Sequence, residues 1–384
     1  MPVPIRARRR DEEHRAATPL ELFFDLCFVV AIAQAGRQLA DALAEGHPGH
    51  GLAGYLMLFF AIWWAWMNFS WFASAYDTDD PLYRVVTLVQ MAGVLILSAG
   101  VPRAFESDFT LVWCGFVVMR LAMVTQWLRA AYGSRGAERR TALSYALGVT
   151  VCQVGWLGLL LLPKGAVPLV FVLVGALELA VPGLAERGRQ TSWHARHIAE
   201  RYGLFTIIVL GETIAAATLA VQSALDAHDE PGSLLPIAGG GLLLVFAAYW
   251  IYFAVPIHRH LRGNRQAFLW GYGHYVVFGS AAAIGAGIEV TVRESVGRAD
   301  LSAYGAAACV TVPGALFLCT VWLIHSRHHK RGTAQQLVLP VSALLVLACT
   351  FAGRAAVPAA GLVAAATVAV GVHLTSRQDT APAE

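Results

Sequence analysis

Apolar runs of about 20 residues follow one another along the chain with only short polar intervals between them, and each is long enough to cross the ~30 Å hydrocarbon core of a bilayer as a helix. The pattern predicts twelve spans, at about 19–40, 52–73, 82–102, 109–128, 142–162, 165–184, 203–222, 234–256, 268–291, 301–325, 336–354 and 356–375. Pro163, Lys164 and Gly165 divide the fifth span from the sixth, and Arg354 divides the last two. The expected fold is all-α: a polytopic transmembrane helical bundle in two six-helix halves, 1–184 and 185–384. The longest polar interval, Ala185 to Tyr202, is too short to build a core of its own, so function must reside in helices and short loops.

Composition agrees. In 384 residues, 57% are hydrophobic and 14% charged, outside the range of soluble globular domains. Of the 28 Lys and Arg, 21 fall in alternate segments on the side of the N-terminus, 5 fall in the opposite loops, and Arg37 and Arg120 lie inside spans. By the positive-inside bias this places both termini in the cytoplasm. The basic N-terminus is followed by about a dozen polar residues, and no small-residue cleavage site ends the first span, so no cleaved signal peptide is expected. Six cysteines, all in apolar runs without a CxxC pair, read as small core residues. The halves also resemble each other: Glu21 opening the first span parallels Glu200 opening the seventh, and Trp63, Trp64 and Trp66 parallel Tyr249, Trp250 and Tyr252. Repeats with an even number of spans share one topology, as in several carrier families.

Lipid offers no partner for a charge, so ionisable residues inside spans are the candidates for work on an ion or solute. Glu21 and Asp25 share one helix face at the start of the first span and can hold a proton or a cation; Thr18, Pro19 and Glu21 also read as a helix cap. Glu212, near the centre of the seventh span, is the leading single candidate, with an ion pair to Arg120 as the competing structural role. Glu178, His197, Glu200 and His274 join the expected pathway on the cytoplasmic side, where an acid-rich lining favours cations or protons over anions. Asp77, Asp79 and Asp80 could form a cation loop, but Asp80 followed by Pro81 is better read as the cap of the third span.

Three histidine groups, at 194 and 197, at 258 and 260, and at 325, 328 and 329, lie in loops on the basic side. Only the last has the spacing of a membrane di-iron enzyme. No Walker, Rossmann or serine-elbow pattern occurs in a supporting context. The expectation is a protein that is not an enzyme, with no cofactor, no metal and no nucleic-acid partner. It would be surrounded by membrane lipid, take a cation, proton or small solute, and be compatible with a homo-oligomer.

The runs at 18–26 (Thr18 to Leu26), 63–80 (Trp63 to Asp80), 88–97 (Leu88 to Leu97) and 197–213 (His197 to Thr213) resemble bacterial low temperature requirement protein A over nearly the whole chain. Thr213 stands where that family often has Ser, and Cys27 where Val is usual. The resemblance implies a multi-pass inner-membrane protein of unsettled biochemical role. It marks Glu21, Asp25, Asn68, Asp77, Asp79, Asp80, Gln90, His197, Glu200, Arg201 and Glu212 as motif positions without saying what they do. The stretch from Phe23 to Ile32 is also weakly similar to the opening of a lysosomal and bacterial potassium-channel family of six-helix repeats, with Phe24 in place of Ser. The functional expectation is transport or permeation of a cation or proton-coupled solute. The rivals are a non-transporting protein of envelope or cold adaptation and, less favoured, a lipid-modifying enzyme using the histidines.

Overall fold

A computed structural model describes residues 5–8, 12, 16–226, 231–330 and 332–379. The described residues form twelve α-helices with short 3₁₀ turns and no strand. They are α1 (Pro19–Ala44), α2 (Pro48–Tyr76), α3 (Pro81–Phe105), α4 (Thr110–Gly133), α5 (Gly136–Gly158), α6 (Val167–Ala185), α7 (Ala195–Asp226), α8 (Pro231–Phe253), α9 (Asn264–Ser295), α10 (Ala303–Ile324), α11 (Thr333–Ala348) and α12 (Ala356–Asp379). Four helices begin on proline, whose fixed φ suits the first helical position and whose missing N–H costs nothing there. Between α11 and α12 the chain stays helical by hydrogen bonding but breaks at Gly353, whose φ of 57° only glycine adopts freely. The 44 residues of Thr333–Ser376 thus fold back as two helices packed on each other instead of forming one overlong rod.

The pattern of exposure differs from that of a soluble protein. Leu161, Phe351, Leu235 and Tyr132 stand exposed, whereas Glu21, Asp25, Glu178, Arg120 and Arg201 are buried. An apolar exterior with the few intramembrane charges kept inside is what a helical bundle in lipid requires, since lipid solvates Leu and not carboxylate. The protein is a multi-span membrane helical bundle.

By contacts the chain groups into two compact units that do not follow the 1–184 and 185–384 division. One comprises Met1–Gln34 with Met57–Tyr202, the other Ala35–Leu56 with Gly203–Glu384. The segment 35–56 is tied to the second by backbone and side chain: Asp300 N–H donates to Ala44 O at 2.6 Å, and Tyr55 Oη donates to Gly279 O at 2.7 Å. Helices α1, α2 and α7 each pass from one unit to the other.

Within the first unit α3 packs closely on α4, and within the second α9 packs closely on α10. Both contacts need glycine. A Cβ on Gly115 would meet Leu97 N at 2.4 Å, and one on Gly287 would meet Cys309 O at 2.1 Å. Small residues at the crossing let backbones approach and replace the hydrophobic drive that lipid removes.

Candidate functional site: a buried ion cluster on α1 and α7

The start of α1 is a capping box. Thr18 N–H donates to Glu21 Oε2 at 2.8 Å, and Glu21 N–H donates back to Thr18 Oγ1 at 3.2 Å. That fixes Glu21, and Asp25 follows one turn later on the same face. On α7, His197 and Arg201 have the same spacing of four. The two faces meet rung by rung. His197 Nε2 lies 3.2 Å from Glu21 Oε1, and Arg201 Nη2 donates to Asp25 Oδ1 at 2.5 Å, while Arg201 Nη1 stands 3.0 Å from Glu21 Oε1. All four side chains are buried.

Helix α2 closes the site. Trp66 Nε1 donates to Asp25 Oδ1 at 2.7 Å, Arg201 Nη2 also donates to Ser70 Oγ at 3.2 Å, and the guanidinium lies 5.9 Å from the Phe69 ring centroid. Oδ2 of Asp25 and Nε of Arg201 have no hydrogen-bond partner among the described residues. Glu200 lies beside this group and accepts the Ala17 N–H at 3.3 Å, anchoring the segment that leads into α1.

The order of the rungs carries topological information. Glu21 meets His197 and Asp25 meets Arg201, so α1 and α7 run parallel at the contact. Two parallel spans need an odd number of crossings between them, and α2–α6 supply five.

A second buried pair forms in the same unit. Arg120 Nη2 donates to Glu178 Oε1 at 2.6 Å. The same Glu178 accepts from Trp156 Nε1 at 2.9 Å through Oε1 and from Trp64 Nε1 at 2.8 Å through Oε2. The competing structural role for Glu212, an ion pair with Arg120, is therefore ruled out, because Arg120 pairs with Glu178. Helix α4 packs on α5 and α5 on α6, which brings Glu178 to Arg120 within one unit, whereas Glu212 belongs to the half of α7 in the other. Glu212 is half-buried and makes no hydrogen bond or ion pair among the described residues.

The remaining motif residues have structural placements. Asp80 caps α3, accepting the Tyr83 N–H at 3.0 Å, and binds Arg129 at 2.8 Å. Burial pushes its carboxyl up, but the Thr78 hydroxyl, the Tyr83 N–H and the Arg129 guanidinium outweigh that and hold it below the usual carboxylate range. Asp79, in the left-handed region at φ 49°, pairs with Arg84 at 2.7 Å, and Asp77 accepts the Asp79 N–H at 3.2 Å. These bonds assign the three aspartates to a turn and a cap. Asn68 donates to Trp64 O at 2.7 Å, and the Gln90 amide N–H lies 3.9 Å from Met123 Sδ. His274 is in the second unit. Its Nδ1–H donates to Trp270 O at 2.7 Å, so its Nε2 accepts from Tyr252 Oη at 2.9 Å.

The central role of Arg201 was not read from the sequence, where it counts among the basic residues of a loop. The available signal was its position four residues after His197, on the face that continues into the span.

The family model for bacterial low temperature requirement A protein matches residues 16–373. The chain belongs to that family. A relative from Rhizobium meliloti (strain 1021), described as an uncharacterized protein, is 28% identical over 258 residues, which cover 64% of this chain. The chain spans 60% of that relative's length. Both members of the ion cluster on α1 and both on α7 lie inside the matched region of this membrane-protein family.

Proposed function

We infer that the protein is a transporter of the bacterial inner membrane that moves a proton, alone or with a small solute, through the site on α1 and α7. The carrying observation is the charge balance. Glu21 and Asp25 bring two negative charges, Arg201 one fixed positive charge, and His197 contacts Glu21 directly. With a neutral imidazole the buried cluster has one negative charge left over, which an apolar interior tolerates poorly; one added proton or small cation balances it. Loading and unloading that charge is a natural drive for alternating access. The basic count supports an N-terminus in the cytoplasm, which puts the capped end of α1 and the start of α7 on that side. No bond-making chemistry is assigned to the site, and a bound cofactor is not needed for this reading.

The test is proton flux into liposomes that contain the purified protein and a pH-sensitive dye, under an imposed pH gradient. Flux above empty liposomes is expected for the wild type, with loss in His197→Gln and Asp25→Asn while both variants keep their thermal unfolding transition. Absence of flux with and without candidate solutes, in protein that remains folded, would overturn the transport reading and favour a structural role in the envelope.

A further inference from the structure

We propose that the groove between α8, α11 and α12 in the second unit is a binding site for one anionic phospholipid. A cavity of about 280 Å³ opens there. Ile251, Val338, Leu339 and Val372 give it apolar lining, and at the helix ends it is lined by Lys330 with the hydroxyl residues Thr375 and Ser376. The ligand this combination fits has a phosphate at one end and a hydrocarbon chain at the other.

Three features support a lipid. Lys330 is half-buried, and among the described residues no carboxylate pairs with it; burial alone acts on its ammonium and pushes its pKa down. A partly desolvated cation without a counter-ion is complementary to an incoming phosphate. The loop that carries it is held in place: Gln336 Nε2 donates to the carbonyls of Arg327, at 2.9 Å, and of Lys330, and Lys330 N–H donates to Ser326 O at 3.0 Å. Room for a chain is built in by Gly371, where an added Cβ would meet nothing within 4 Å.

The mouth lies where α8 ends, α11 begins and α12 ends, the side of the membrane on which Lys and Arg concentrate. Exposed Trp250 lines the same mouth at the level where indole rings favour the headgroup region. An anionic headgroup of the same leaflet can therefore reach Lys330 while its chain follows the groove.

The experiment uses the full chain in detergent, mixed with phosphatidylglycerol or phosphatidylcholine, and reads lipid retention by native mass spectrometry together with the unfolding midpoint. One phosphatidylglycerol retained per protein and a raised midpoint are expected, with phosphatidylcholine giving neither. Lys330→Gln should lower phosphatidylglycerol retention about fivefold, the size of one lysine–lipid charge contact. Gly371→Leu should abolish it by filling the groove, without lowering the lipid-free midpoint, because the new side chain enters open space and leucine favours the helix. Equal retention of the two lipids by the wild type, retention at the wild-type level in both variants, or a protein dimer that forms through this face with no lipid bound would each overturn the proposal.

Discussion

The two units bury polarity in different ways. In the first, the interior holds charged groups: Glu21, Asp25, His197 and Arg201 in one cluster, Glu178 and Arg120 in another. In the second, the buried polar groups form mostly neutral hydrogen bonds. Tyr252, His274, Trp270 and His325 are linked at 2.7–2.9 Å, and Thr213 Oγ1 donates to Ala281 O at 3.0 Å. In its ion pairs the arginine is at least partly exposed: Arg293 pairs with Asp41 at 2.8 Å and Arg354 with the buried Glu294 at 3.1 Å. Neutral bonds brace helices at modest cost. A buried charge is costly without a partner, so its retention in the first unit marks where a change of protonation has the largest consequence.

The comparison predicts a ranking of stability losses, read from thermal unfolding of the purified protein. Arg201→Met should cost most, about 3–5 kcal/mol, because it strands two carboxylates at once. Restoring neutrality with Glu21→Gln and Asp25→Asn in the same chain should recover most of the loss; failure to recover would mean that the arginine acts by packing. Arg120→Met should cost roughly 3 kcal/mol, less than Arg201→Met, since Glu178 keeps two indole donors. Adding Glu178→Gln should return most of it.

In the second unit, His274→Phe removes only neutral hydrogen bonds, and a loss of about 2 kcal/mol is expected. A loss as large as that of Arg201→Met would erase the distinction between the units. Asp80→Ala tests the cap of α3, which also pairs with the buried Arg129, and should cost about 2 kcal/mol. Its pH profile has a definite sign. The folded carboxyl sits below its ordinary value, so its contribution is fully present above the unfolded value of about 3.9 and is lost as pH falls through the folded one. The difference between wild type and Asp80→Ala should stay flat from pH 8 to 5 and vanish only in stronger acid. The smallest effect belongs to Glu212→Gln, within about 0.5 kcal/mol, because no hydrogen bond or ion pair is lost.

Where these effects arise was only partly legible beforehand. The Asp80 cap and the Thr18–Glu21 cap could be read from adjacent residues, because a capping bond joins groups two or three positions apart. The candidate acids were legible as a set, because charge in an apolar run is conspicuous. Their partners were not. Glu178 and Glu212 are both single carboxylates in apolar helices, and nothing local distinguishes the one held by Arg120 and two indoles from the one left half-buried. The donors Trp64, Trp66 and Trp156 were not legible as partners, since the sequence does not show where a ring N–H points.

What the sequence determined by itself is the membrane class, the helices and most of their ends, and the family. Each depends on local periodicity, run length and short motifs, and lipid enforces them strongly because an unsatisfied backbone cannot cross a bilayer. What only the tertiary structure decided is which charge meets which. The turn of α1 that places Glu21 over Asp25 and the turn of α7 that places His197 over Arg201 are 176 residues apart, and their union depends on how the intervening helices pack. Packing in lipid is directed by glycine contacts and buried polar bonds more than by hydrophobicity, and those are relations between surfaces that no single stretch of chain contains.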